Sequence, residues 1–384
     1  MANGKTVKVR QRWYSQEDVN RLYALSAGRC EFRGCNKFTL RHEPTQQDGN
    51  YAEKAHIYAF GKRGPRPAPE GTPTAVLNGI DNIMLLCQAC HKRIDDNEDT
   101  HPVESLREAK KEHEDRVYLI TGFTPDYKTK PLAFLANIVK DVVTVSDGDV
   151  FTSLFPSRYP SCKLNPLDLS SLVDSSEWYG SAGQSAIQAH ITDFYRESPS
   201  GRPSHVSVYA IGPIPLLIQF GSSLSNKITT DFYQKHRVRN TWKWSDGEGV
   251  ALYETKKIQD GTAPNKVALI LSLSGKIHLG STGIAPEFSV YEIEVKDGEL
   301  APNFSFLKTR ADLDRFRKAY ADLVSRLGRD HAGVTEIHLY PAIPAPVAVT
   351  CGFDLLPKVH PNLVIYDADK TKGGFNQSLI VTRH

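Results

Sequence analysis

Asn82-Ile83-Met84-Leu85-Leu86-Cys87-Gln88-Ala89-Cys90-His91-Lys92-Arg93-Ile94-Asp95 decides how the first third of this chain folds. An apolar run leads straight into Cys87 and Cys90, two residues apart, and His91 follows at once. Upstream, Cys30 and Cys35 form a second pair with four residues between them. Two close cysteine pairs suit one tetrahedral zinc ion, which would clamp a loop-rich unit. Between the pairs lies Glu53-Lys54-Ala55-His56-Ile57, with His56 between apolar neighbours. Tied by the metal, such a unit can bring His56, Asn82 and His91 together. A lone strand histidine is more often simply packed; here it sits inside a zinc-tied unit beside a second histidine.

At 384 residues the chain is too long for one small core, so two or three domains are expected. Hydrophobic residues make up 40% and charged residues 24%, an ordinary soluble balance. No apolar run is long enough to span a bilayer and the N-terminus has no signal-peptide pattern, so a cytoplasmic protein with no membrane partner is expected. In a reducing compartment the paired cysteines read as metal ligands rather than disulfides. Cys162 and Cys351 are isolated and read as buried small side chains. Residues 1–130 carry 21 Lys+Arg against 18 Asp+Glu, and the rest carries 26 of each, so the whole basic excess lies in the N-terminal third. The stretches Lys5–Arg12 and Lys62-Arg63-Gly64-Pro65-Arg66 could hold phosphates or be solvated surface.

Ser15-Gln16-Glu17-Asp18 fits a capping box, and Val19, Leu22, Tyr23 and Leu25 continue as one apolar stripe, which predicts a helix ending near Gly28. A short strand is expected around Ala55–Ala59, a helix from near Cys90 and another over Val103–Tyr118. Thr121–Pro131 has two prolines, a glycine and little apolar content; residues 123–131 are expected to be a linker between a domain over 1–122 and a second over 132–384. Beyond it, β-type runs (Val206–Ile211, Val267–Leu273, Phe288–Val295, Ile337–Tyr340, Leu363–Tyr366) alternate with helical stretches, the clearest being Asp312–Leu327. That alternation predicts an α/β domain with a mostly parallel sheet.

An internal repeat runs through this part. Val206–Gly221 aligns without gaps on Ile337–Gly352, matching Tyr209 with Tyr340, Pro213 with Pro344, Pro215 with Pro346 and Gly221 with Gly352. Each copy reads as strand, Pro-x-Pro turn and helix, proline being tolerated in the first helical turn. Two Rossmann-like halves related by pseudo-symmetry are expected, with a pocket at strand C-terminal ends and helix N-termini.

Ala55-His56-Ile57 followed by the Asn82–Asp95 segment resembles the HNH endonucleases of the ββα-metal fold, over roughly residues 10–120. The resemblance implies that His56 is the general base, that Asn82 braces the ββ turn or helps position the base, and that His91 binds a catalytic divalent ion, usually magnesium. Many members have Asp or His just before the base; here Ala55 cannot bind metal. Glu53, on the same strand face, is a possible substitute. Asp95, one helical turn after His91, can reach the same ion, or belong with Asp96 to a solvated acidic face.

Val267–Gly275, the helix after Asp312, Ile337–Pro344 and the ending Pro357-x-x-x-Pro-x-Leu-Val-Ile-Tyr-Asp resemble a SAVED domain of two fused CARF-like halves. That resemblance implies a pocket for cyclic oligonucleotides between the halves. Candidate contacts are Trp178 and Tyr179 in a Gly/Ser-rich loop, Arg237, Arg239 and Trp242 in a segment interleaving cations and indoles, Ser272 and Ser274 after a strand, and Pro344 at the second repeat helix. Core packing for the aromatics and surface pairing for the arginines are the competing readings.

HNH followed by SAVED is the layout of effector nucleases in bacterial CBASS antiphage systems. The resemblance implies a metal-dependent endonuclease of double-stranded DNA. It would be activated by a cyclic di- or trinucleotide and work as a homo-oligomer, a dimer that assembles further with ligand. Structural zinc, catalytic magnesium and the cyclic nucleotide are its expected ligands. Two rivals stand beside it: a restriction endonuclease with a DNA-reading second domain, and a non-catalytic zinc module joined to a sensor. The near-neutral second domain argues against a DNA reader.

Overall fold

The computed structural model describes residues 14–136, 144–170, 176–196, 203–296, 302–303, 305–368 and 373–382. It divides into two compact units, the first ending at Thr124 and the second beginning at Pro125. Among the described residues no helix is long and apolar enough to cross a membrane.

In the first unit Ser15 caps α1 (Gln16–Leu25), its hydroxyl accepting the Asp18 N–H at 2.9 Å. β1 (Ala52–His56) and β2 (Ile83–Cys87) pair antiparallel, Ala52 opposite Cys87 and His56 opposite Ile83. β1 therefore starts three residues before the expected strand, while Ala59 bridges to Pro67 and closes a loop instead. α2 (Thr74–Leu77) is a single turn; α3 (Gln88–Asp96) begins directly after β2, and α4 (Val103–Thr121) follows. Side chains alternate across the two strands. Ala55, Ile57, Met84 and Leu86 pack on Ile94 of α3 and on Val103, Leu106 and Ala109 of α4. Ile83 and Leu85 pack on Leu22 of α1. The strand pair is thus a thin layer with α1 on one face and α3 and α4 on the other.

The expected linker is shorter than its composition suggests. Pro125–Tyr127 make one turn, and β3 (Lys128–Leu135) already belongs to a sheet. Pro131 is tolerated there because it falls between the part of β3 that pairs with β4 (Tyr159–Pro160) and the part that pairs with β5 (Asn165–Asp168). No ladder bond needs its missing N–H on that side.

The second unit holds two sheets. The first half continues through α5 (Asp147–Leu154), α6 (Ser176–Arg196), β6 (His205–Ile211), α7 (Ile214–Ser223) and β7 (Thr229–Tyr233). The second half runs through β8 (Leu252–Gln259), β9 (Val267–Ser272), β10 (Ser289–Lys296), α8 (Arg310–Asp330), β11 (Glu336–Ala342), α9 (Ala345–Phe353), β12 (Asn362–Ala368) and β13 (Phe375–Val381). The first sheet is parallel in the order β5-β3-β6-β7, with β4 on the same edge of β3 as β5. The second runs β13-β12-β11-β9-β10-β8, antiparallel only at its two outer pairings.

Both halves follow one path. β3-β5-α6-β6-α7-β7 corresponds to β9-β10-α8-β11-α9-β12, and the strands sit in the same spatial order. α6 and α8 are each 21 residues long. The tyrosines matched in the repeat keep equivalent partners: Tyr209 stacks on Tyr233 with centroids 4.8 Å apart, and Tyr340 on Tyr366 at 4.4 Å. α7 and α9 pack against each other, and one apolar cluster runs through both halves, from Val208 and Ile218 to Val349 and Leu363. Two arginines of α8 reinforce it. Arg310 pairs with Asp231 of β7 at 2.8 Å, and Arg317 makes a two-pronged pair with Asp354 while lying over Phe232 of β7. Cys351 is buried in α9; Cys162 is exposed, contrary to expectation, because it falls in the bend between β4 and β5.

Candidate metal centre and sensor residues

The four expected cysteines meet. Cys30 and Cys35 sit on a tight knuckle held by Cys30 N–H to Lys37 O at 2.8 Å and Cys35 N–H to Phe32 O at 2.9 Å. Gly34 and Asn36 take left-handed φ values of 87° and 55°, which tightens the turn. Cys87 ends β2 and Cys90 lies in the first turn of α3. All four Sγ atoms lie within 4.8 Å of one another, and Cys35 and Cys87 are 3.9 Å apart. Four sulfurs at about 2.3 Å from one ion stand about 3.8 Å apart, so the set fits tetrahedral zinc. Burial pushes the Cys30 thiol up to about 12 and the Cys90 thiol upward as well. At Cys87 burial acts in the same sense, but hydrogen bonds from its cysteine neighbours outweigh it and lower the thiol. A dication is what would let all four ionise together. Beside the knuckle, burial raises Glu31 to about 7 while it accepts the Leu85 N–H, tying the knuckle to β2.

His56, Asn82 and His91 do not form one cluster of converging side chains. His56 closes β1 on the face shared with Lys54, only 8% exposed, with the Tyr14 hydroxyl 3.4 Å from Nε2 and the Phe60 ring 5.8 Å away. Asn82 is fully engaged in bracing. Its Oδ1 accepts the Tyr58 N–H at 2.8 Å, and its Nδ2 donates to Tyr58 O at 3.1 Å and Leu77 O at 3.0 Å. Of the two roles open to it, it fills the bracing one and touches nothing that could react. Tyr14 and Phe60 carry no motif, so sequence reasoning passed over them.

His91 projects from α3 on the other face of the strand pair. Its Nδ1 lies 3.9 Å from Glu53 Oε2 and its Nε2 3.4 Å from Asp95 Oδ2. The three residues expected to bind the ion are therefore neighbours, but the two carboxylates face different ring nitrogens, and among the described residues only the cysteines meet at one point. Alternation puts Glu53 and His56 on opposite faces of β1. His91 stands level with Glu53, while Arg66 joins Ile57 O to Ile94 O further on, so α3 runs alongside β1 and the end of the strand lies between the two ties. Any phosphate shared by His56 and the His91 group must lie across that strand end. His91 Nδ1 and Glu53 Oε2, 3.9 Å apart, are the pair that could hold a divalent ion, while Asp95 is partly taken up by Arg66 at 2.8 Å.

The expected sensor residues divide. Trp178 and Tyr179 fall on the first turn of α6 rather than on a loop, because the Gly/Ser-rich segment continues the helix; their side chains lie outside the described residues. Trp242 is 1% exposed and packs edge-on against Tyr209, so it is core and not a free stacking face. Arg237 and Arg239 are exposed at the tip of a turn closed by His236 and Thr241, and Arg239 donates to the Ser245 hydroxyl at 3.1 Å. Ser272 is buried, its hydroxyl accepting the Ile277 N–H, whereas the Ser274 N–H donates to Ala342 O at 2.7 Å, joining the ends of β9 and β11. Pro344 caps α9 beside them. Ser274 and Pro344 thus share the C-terminal edge of the second sheet, where open α/β sheets take ligands; Ser272 lies beneath it.

A search of curated proteins finds no match. Among solved structures, the chain is similar to the Acinetobacter baumannii Cap4 SAVED/CARF-domain containing receptor with the cyclic trinucleotide 2'3'3'-cAAA, at 12% identity and a TM-score of 0.42, covering 76% of this chain and 60% of that one. The same receptor with 3'3'3'-cAAA gives 13%, 0.42, 76% and 59%. The Moraxella osloensis Cap4 receptor gives 13%, 0.38, 76% and 58%. The chain therefore spans about three fifths of the length of these receptors. The family model for the SMODS-associated and fused to various effectors sensor domain, SAVED, matches residues 187–381, just over half of the sequence, and the chain belongs to that family.

Proposed function

We propose that this protein is a divalent-metal-dependent endonuclease of the HNH type, switched on by a cyclic oligonucleotide, that degrades double-stranded DNA in bacterial antiphage defence of the CBASS kind. The observation that carries the reading is the His91 group, with Glu53 and Asp95 at 3.9 and 3.4 Å, built on a cysteine-tied β-β-α unit in the same chain as a SAVED sensor. The ligand class rests on the SAVED sensor domain; the Cap4 receptors to which the chain is similar are described with the cyclic trinucleotides 2'3'3'-cAAA and 3'3'3'-cAAA.

In this reading His56 takes the proton of the attacking water through its ring, while Asn82 keeps the turn before β2 rigid so that the ring stays at the strand end. His91 and Glu53 would hold the ion, with Asp95 against the other ring nitrogen of His91, and the bound ion would supply Lewis-acid stabilisation of the departing 3′ oxygen. Water reaches His56 once Tyr14 moves aside. Ligand bound between the halves of the sensor favours an active homo-oligomer over the resting form, and must bind it more tightly to shift anything.

One observation favours the second reading, a non-catalytic zinc module on a sensor: the His56 ring is buried on the strand face opposite Glu53. Plasmid incubated with magnesium and a panel of cyclic di- and trinucleotides separates the two. Degradation only with one cyclic nucleotide, lost in His56→Ala while that variant still binds ligand, supports the nuclease. Ligand binding without cleavage by the unaltered protein leaves the zinc module.

A further inference from the structure

Arg66 is a deeply buried cation of the first unit, with a side chain only 4% exposed. Buried arginines need acceptors for their donors. Here Nε donates to Ile57 O at 3.0 Å, Nη1 to Ile94 O and Nη2 to Asp95 Oδ1 at 2.8 Å, while the backbone N–H donates to Glu98 Oε2 at 2.9 Å. The residue adopts φ 53°, a conformation rare outside glycine. One side chain thus lashes the end of β1, next to His56, to the last turn of α3.

The consequence falls on Asp95. With Oδ1 held by a guanidinium, its free oxygen faces His91 Nε2 at 3.4 Å. At that distance the two are in contact without a hydrogen bond; a small rotation of the ring lets the carboxylate accept the Nε2 proton, which fixes the tautomer that leaves the Nδ1 lone pair for a metal. Nδ1 faces Glu53, which is half-exposed and makes no ion pair with a lysine or arginine among the described residues. Ala55, on the same strand face, adds only a methyl group. On the strength of the nuclease reading, we infer that the divalent ion binds His91 Nδ1 and the Glu53 carboxylate, that Asp95 orients His91 without ligating, and that Arg66 is the positioning residue holding Asp95 in that role. The rival is a plain ion pair of protonated His91 with two carboxylates.

Titration calorimetry with Mn2+ on the full chain tests this, with zinc content and melting measured for every variant. Glu53→Gln and His91→Ala lose Mn2+ binding. Asp95→Asn and Arg66→Lys keep it, weakened about tenfold, at unchanged zinc content. If Arg66→Lys loses zinc through misfolding, Asp95→Asn decides. Loss of binding in Asp95→Asn with full binding in Glu53→Gln overturns the assignment, as does failure of the unaltered protein to bind Mn2+. Binding in the expected order without DNA cleavage upholds the site and refutes the nuclease; cleavage with the wrong order refutes the site alone.

Discussion

Gly221 of α7 lies against the Val349 carbonyl of α9, and Gly352 of α9 lies against the Ile218 carbonyl of α7. A Cβ placed on either glycine would stand 1.9 Å from the facing oxygen. The two contacts are exchanged by the same offset that aligns the repeat, so the helices cross on a local pseudo-two-fold. Neither glycine needs positive φ; each is required by close approach.

Substituting Gly221 or Gly352 with alanine forces backbone apart rather than displacing a flexible side chain. Each change should cost about 3 kcal/mol, read as a lower urea midpoint for the second unit and as lost cyclic-nucleotide binding.

His56 and Asn82 should separate on substitution. His56→Ala removes a ring that the proposed reaction needs, so cleavage disappears altogether, while the lost packing against Tyr14 and Phe60 lowers melting only in part. Asn82→Ala strands the Tyr58 N–H and two carbonyls, at about 3 kcal/mol, and should lower melting first and activity with it.

Zinc should track the cysteines alone. Cys30→Ser or Cys90→Ser leaves three thiolates in the cluster, and each variant should lose its bound zinc and the protease resistance of residues before Thr124. Elemental analysis and limited proteolysis read both.

Acid should act on the second unit through Asp312. Burial alone would raise its carboxyl, but N–H groups of Ala251, Thr309 and Lys308 and the Thr309 hydroxyl outweigh that and hold it below the ordinary range. A depressed folded value stabilises above the unfolded value of about 3.9 and is lost as pH falls through the folded one. Stability should be flat with respect to this group near neutrality and fall below about pH 4. The fall should be shallower in Asp312→Asn when unfolding is followed by urea at each pH.

Lys62 and Arg63 are exposed on the loop closed by Ala59 and Pro67, and neither makes an ion pair among the described residues, whereas Arg66 is wholly committed. If that tip contacts two phosphates, the Lys62→Ala, Arg63→Ala double variant lowers the salt slope of duplex binding by about 1.8. Fluorescence anisotropy with the cleavage-dead His56→Ala background measures it.

Much of the frame was legible because it is written in local spacing. The cysteine pairs, the Ser15 cap and the β6-α7 and β11-α9 repeat all depend on residues close in sequence. The equivalence of β3 with β9 and of α6 with α8 was not, because those segments share a path without sharing residues. Trp242 looked available until Tyr209 covered it, and Arg66 looked like one more surface cation. Asp95 changed meaning with it, since a carboxylate's role depends on which cation reaches it first. Such roles are set by contacts between segments distant in sequence, which periodicity does not encode.

The doubled unit has a genetic consequence. In a receptor assembled from two identical chains, every substitution is inherited by both walls of the cavity at once. In the proposed sensor the two walls would be separate stretches of one gene, so each would drift alone, and single codon changes would suffice to fit a lopsided ligand.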